Sequence, residues 1–139
     1  MAKSREELID EMLDREAIRE LPVLYCKGAW GDPELQASVF AEDATFTVMS
    51  EKPVTMHGRE AMLKNFRERQ TTATPRPLIH NIAVELKSPT EAVGWCVVEL
   101  RSQKEGMRLI YVGYYDDEYV KIDGQWKFKS RRHFTFPVS

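Results

Sequence analysis

The chain is short of the residues from which several classes of protein are built. Cys26 and Cys96 are its only cysteines in 139 residues, and they lack Cys-x-x-Cys spacing. That excludes a disulfide framework and fits a reduced, cytoplasmic protein. No apolar run approaches membrane-spanning length, and the opening Met1-Ala2-Lys3-Ser4-Arg5 has no apolar stretch of signal-peptide length. A soluble intracellular protein with no membrane partner is therefore expected. An excess of one charge is missing too: 20 basic residues face 22 acidic ones, net −2. No broad positive field invites nucleic acid. The one basic cluster, Lys127, Lys129, Arg131 and Arg132, lies in a strand-like run whose alternation sends part of it to solvent. His57, His80 and His133 are too scattered for a metal site, and there is no Gly-rich phosphate loop or nucleophile motif. The expectation is a protein with no metal and no cofactor.

What is present begins with Asp123-Gly124, set between two runs rich in Tyr, Val, Ile, Trp and Phe. Asp-Gly in that setting signals a tight hairpin, because both central turn residues need positive φ. Upstream, Ser4-x-x-Glu7 reads as a capping box opening a short helical extension over 1–13. Asp14 caps a second helical run carrying Ala17, Ile18, Leu21, Leu24 and Tyr25, kinked at Pro22 and ended by Gly28 and Gly31 near Trp30. Asp32-Pro33-Glu34 starts another helix over about 33–41. A strand over 44–49, a loop over 50–58, a helix over 59–70 and a Pro-rich loop over 71–77 come next. Four strands close the chain, at about 78–87, 91–102, 107–122 and 125–135. Helices followed by a run of antiparallel strands is the α+β pattern, and the length suits one domain spanning 1–139.

Several motifs in order carry a resemblance. They are Asp14-Arg-Glu-Ala-Ile-Arg-Glu-Leu through Tyr25, Gly31-Asp32 leading to Phe40-Ala-Glu-Asp-Ala-Thr-Phe46, Gly58-Arg-Glu-Ala-Met, His80-Asn-Ile-Ala-Val-Glu, and Gly113-Tyr-Tyr-Asp-Asp-Glu-Tyr with Gln-Trp-Lys-Phe and Arg131 after it. Over residues 14–134 the chain resembles the SnoaL-like family of the nuclear-transport-factor-2-like (NTF2-like) superfamily. The resemblance implies a cone, in which a strongly curved antiparallel sheet wraps round the helices and encloses an apolar pocket. It implies cofactor-free acid–base chemistry of the dehydratase, cyclase or isomerase kind, or ligand binding without chemistry, and self-association as a homodimer or homotrimer.

Such chemistry needs a base, a donor for the developing oxyanion and dry walls. His80, at a strand start beside the Pro-rich loop, is the candidate base or acid, and Tyr25 on the inward helix face is a candidate hydroxyl donor. Alternation puts Tyr111, Tyr115, Asp117 and Tyr119 on one face of a strand and Tyr114, Asp116 and Glu118 on the other. Either Asp117 or Asp116 faces inward; the resemblance favours Asp117, with Arg131 as its partner. The dehydratase-like relatives implied by the resemblance hold a His four residues before the Asn and an Asp five after the helix tyrosine. Those places are Pro77 and Trp30 here, so Asp32 is the nearest replacement for the acid, although it is also placed to cap a helix. Trp30, Phe46, Phe66, Trp95, Tyr111 and Tyr115 are the expected aromatic lining for a small apolar or aromatic substrate. A lyase or isomerase acting on an aromatic, polyketide-like or steroid-like molecule is the leading expectation, with a non-catalytic binding or dimerisation module as the alternative.

Overall fold

A computed structural model describes residues 2–71 and 73–136. The capping box at Ser4 forms: the Ser4 hydroxyl accepts from the Glu7 amide at 3.1 Å and the Glu7 carboxylate accepts from the Ser4 amide. From it α1 (Arg5–Ala29) runs through Asp14 and Pro22 as one helix. The two runs expected from the sequence are thus a single element. Asp14 does not cap because its carboxylate is used elsewhere, accepting from Trp126 Nε1 at 2.9 Å and Lys121 Nζ at 3.2 Å. Ile18, Leu21, Pro22 and Tyr25 form the buried side of α1. Gly28 lets α1 and the next helix touch, since a Cβ there would lie 2.4 Å from the Gln36 backbone nitrogen.

Asp32 accepts from the Leu35 amide at 3.1 Å and starts α2 (Pro33–Ser38). It ends earlier than expected, because Val39 and Phe40 are taken into the sheet: the Phe128 amide donates to Val39 O at 2.8 Å. The strand β1 (Phe40–Val48) follows, and β2 (Val54–His57) forms inside the expected loop as an edge strand on β1. Then come α3 (Arg59–Glu68), β3 (Arg76–Ser88), β4 (Glu91–Arg101), β5 (Leu109–Ile122) and β6 (Gln125–Thr135). Asp123 and Gly124 both have positive φ, as the hairpin required.

One six-stranded sheet results, in the order β2-β1-β6-β5-β4-β3, antiparallel except for the β1/β6 pair. It is a cone wrapped round the helices. Bulges interrupt the ladder between His80 and Ala83, where Asn81 has φ 55°, and between Glu118 and Tyr119 on the β5/β6 hairpin. Such insertions bend a strand and raise its twist, which lets the sheet curl around α1 instead of lying flat. The inner face carries Cys96, Val98, Tyr115, Tyr119 and Phe128, packed on Ile18, Tyr25, Phe40, Met62 and Phe66. Among the described residues no helix is long and apolar enough to cross a membrane.

Candidate functional site

Period-2 alternation along β5 and β6 builds the deepest part of the molecule. Asp117 faces Arg131 across the ladder, Tyr115 faces His133 and Gly113 faces Thr135. Arg131 is fully buried and Asp117 is 3 % exposed. Arg131 Nε and Asp117 Oδ1 are 3.0 Å apart, yet off the line of a good hydrogen bond, so the pair is held by charge more than by geometry. The guanidinium also donates to Cys96 Sγ at 3.3 Å, while its Nη1 has no hydrogen-bond partner among the described residues. Aromatic faces supply the rest of its surroundings: its carbon lies 3.5 Å from the Tyr115 ring centroid, 4.4 Å from Tyr25 and 4.7 Å from Phe128.

In front of this cation lies a cavity of about 470 Å³. Tyr25 and Ala29 from α1, Gln36 from α2, Phe46 from β1 and Phe66 from α3 form one side of it, and Tyr111, Tyr115 and His133 from β5 and β6 form the other. Tyr25, Phe46, Phe66 and Tyr115 also pack on one another, with Tyr25 about 6 Å from each of the other three rings. His133 is 7 % exposed and its Nε2 lies 3.3 Å from the Tyr111 hydroxyl. Gly113 makes room for that imidazole, since a Cβ there would come 3.2 Å from His133 Nε2 and 2.2 Å from Phe134 O.

Burial governs the protonation states. It pushes Asp117 up to about 6 against the opposing pull of Arg131, with Tyr119 donating to its other oxygen at 3.2 Å. Burial, helped by the Arg131 charge, lowers His133 to about 4, so this imidazole is neutral at pH 7. Burial also raises Tyr25, carries Tyr115 well above the ordinary tyrosine value and brings Tyr111 to about 12. The cavity therefore offers a neutral imidazole acceptor beside three hydroxyls that keep their protons.

The sequence expectations divide accordingly. Tyr25, Phe46, Phe66, Tyr111 and Tyr115 meet in the cavity, and Asp117 and Arg131 sit directly behind its tyrosines. His80 does not join them. It pairs with Val97 ahead of the bulge, and its ring points to the outer face, where it is paired with Glu99, itself bonded to Arg101 at 2.7 Å. Trp95 is also on the outer face, 37 % exposed and packed on Tyr114. Asp32 is an exposed helix cap. Trp30 is not in the lining; it is half-exposed at the end of α1, with its Nε1 donating to Pro77 O at 2.7 Å. The two positions expected to hold an acid and a histidine in the dehydratase-like pattern are therefore neighbours here, joined by an indole-to-carbonyl bond. His133 is a cavity residue to which the sequence assigned no role in the site. Alternation gives it away, because it lies two places after the inward Arg131.

Helices followed by a curled, unclosed six-stranded sheet with a hollow inside define the NTF2-like fold, the description carried by a solved structure of the same architecture. The chain belongs to the SnoaL-like family, whose domain model matches residues 10–132. Among solved structures it is similar to a candidate scytalone dehydratase from Novosphingobium aromaticivorans, at 28 % identity and TM-score 0.77 over 95 % of this chain and 90 % of that one. It is similar to LinA at 25 % identity and TM-score 0.79, over 93 % and 90 % of the two chains. A hexachlorocyclohexane dehydrochlorinase, LinA-type3 from Novosphingobium barchaimii, matches at 24 % identity and TM-score 0.75 over 94 % of each chain. No curated protein matches the sequence.

Proposed function

We propose that the protein is a cofactor-independent lyase or isomerase acting on a small ring-bearing molecule inside the cone. The observation that carries this reading is the convergence of Tyr25, Tyr111, Tyr115 and His133 on one largely apolar hollow backed by a buried guanidinium. In this reading His133 Nε2 takes a proton from a carbon next to a carbonyl. The electron pair moves onto the carbonyl oxygen, and Tyr25 and Tyr115 donate to the enolate, with Arg131 stabilising it from behind. Collapse of the enolate either expels a β-substituent, which leaves with a proton supplied by Tyr111 and restored to that hydroxyl by the His133 imidazolium 3.3 Å away, or takes the proton back at another carbon. His133 thereby fills the role that the sequence suggested for His80, and Asp117 holds Arg131 in place. The candidate scytalone dehydratase and the dehydrochlorinase among the similar structures are named for eliminations, which supports this class of step.

The indole-to-carbonyl bond between Trp30 and Pro77 favours a second reading, a binding module of the same fold, since those positions carry no acid or base. One experiment decides between the two. Incubated with a panel of aromatic, polyketide-like and steroid-like carbonyl compounds, the protein is expected to convert at least one, and Tyr25→Phe to slow that conversion about tenfold or more. Compounds that bind and are recovered intact would support the module instead.

Self-association and a cytoplasmic location belong to the same proposal. Tyr114 and Phe134 stack at 4.8 Å on the outer sheet face, and Trp95, Ile110 and Phe136 remain substantially exposed around them. An aromatic patch of this kind on a soluble domain suits a second copy. Light scattering is expected to give a dimer or trimer that Trp95→Glu weakens, and a monomer at tens of micromolar would count against it. Cys26 and Cys96 are both free, which suits a reducing compartment.

A further inference from the structure

The cavity wall is electrically one-sided. Among its lining residues there is no aspartate or glutamate, while Arg69, Arg76 and His133 all belong to it. Arg76 opens β3 between two prolines and is 6 % exposed. Its Nη2 donates to Thr71 O at 3.3 Å and its Nε has no partner among the described residues. No ion pair forms to Arg76 or Arg69 among the described residues. Across the ladder Arg76 faces Arg101, a like charge whose own guanidinium is engaged by Glu99 and by Met107 O.

A guanidinium held out of water without a counter-charge is unfavourable, and burial already lowers the proton affinity of Arg76. The other buried arginine, Arg131, has an aspartate placed beside it. Arg76 has no such partner, and its side chain belongs to the wall of the cavity, where a guest would supply the counter-charge. The planar fork of arginine matches a carboxylate, and Arg69 adds a second positive charge beside Tyr111, whose ionisation it assists.

We propose that the guest of this cavity bears a carboxylate, bound by Arg76 with Arg69 assisting, so that the substrate class is a ring-bearing acid and not a neutral ring compound. This rests on the cavity being the working site and is independent of the step performed there. The test uses 2-naphthoate and its neutral counterpart 2-naphthamide, titrated calorimetrically into the full protein and into Arg76→Met, Arg76→Lys and Arg69→Gln. Naphthoate is expected to bind about tenfold or more tighter than the amide, in line with a charge-assisted hydrogen bond. Arg76→Met is expected to remove that preference by weakening naphthoate far more than the amide, Arg76→Lys to keep part of it and Arg69→Gln to reduce it. The midpoint of thermal unfolding of ligand-free Arg76→Met should not fall, because an unpaired buried charge has been removed.

Equal binding of acid and amide to the unaltered protein, no binding of either, or equal weakening of both by Arg76→Met would overturn the proposal. If Arg76→Met does not fold, the naphthoate preference of the unaltered protein and its loss in Arg69→Gln decide the matter. A preference for naphthoate without turnover of any compound counts against the lyase reading alone.

Discussion

Asp117→Leu is expected to lower the stability of the protein by about 3–5 kcal/mol, read as a fall in the urea midpoint at unchanged slope. The substitution leaves Arg131 fully buried, with Cys96 and aromatic faces as its only described company. Arginine cannot escape by losing its proton. Arg131→Met is expected to cost distinctly less, because the Asp117 carboxyl left behind can protonate and is already pushed up to about 6 by burial. The double variant Asp117→Leu/Arg131→Met should recover most of the loss, since a buried pair replaced by apolar groups of similar volume is often neutral. A double variant no better than Asp117→Leu would mean that the pair contributes through a specific geometry that charge balance does not capture.

The same pair fixes how stability changes with pH. Asp117 titrates higher in the folded chain than its ordinary 3.8, so its contribution is fully present below that value and is lost as pH rises through about 6. His133 works the other way. Its folded value of about 4 lies below its ordinary 6.5, so its contribution is present above 6.5 and is lost as pH falls through about 4. Between pH 7 and 5 the two oppose each other. Asp117→Asn removes the gain on acidification, roughly 1 kcal/mol by linkage for such a shift. That variant should therefore lose more stability than the unaltered protein between pH 7 and 5, a difference that urea unfolding at the two values measures.

How far the sequence discloses the site depends on which residues have neighbours that explain them. The hairpin at Asp123-Gly124 and the alternation of β5 group Tyr115 with Asp117 on one face and Tyr114 with Asp116 on the other, but a period of two does not say which face turns inward. The resemblance favoured the Asp117 face, which is the buried one. Tyr25 followed from the apolar stripe of α1. His80 misled because periodicity holds only within an unbroken strand. The bulge at Asn81 separates it from the inward Ile82 and Val84, and no local residue pattern announces that shift. Asp14 is the same kind of case in a helix. It looks like a cap until a tryptophan from the far end of the chain claims its carboxylate. Arg76 was hidden for another reason: set between two prolines it reads as loop, and only the folded chain reveals that it is buried without a counter-ion.

His133→Gln is expected to lower the turnover of any converted compound by a factor of about 10² to 10⁴, the range for loss of a positioned base. Glutamine keeps a polar group of similar reach, so binding of the same compound should stay within a few-fold, which separates loss of chemistry from loss of the pocket. The pH profile identifies the group. A base must be unprotonated, and His133 stays so down to about 4, so kcat/KM should hold level from neutral pH towards 5 and fall below it. An imidazole of that value is a weak base in the free protein, and the guest proposed above changes this. A carboxylate bound in the same cavity favours the imidazolium and raises its proton affinity. The acid limb of kcat, which reports the occupied site, should therefore lie at higher pH than the limb of kcat/KM. Coincident limbs would show that guest and imidazole do not interact, and turnover within about threefold of normal in His133→Gln would remove His133 from the chemistry.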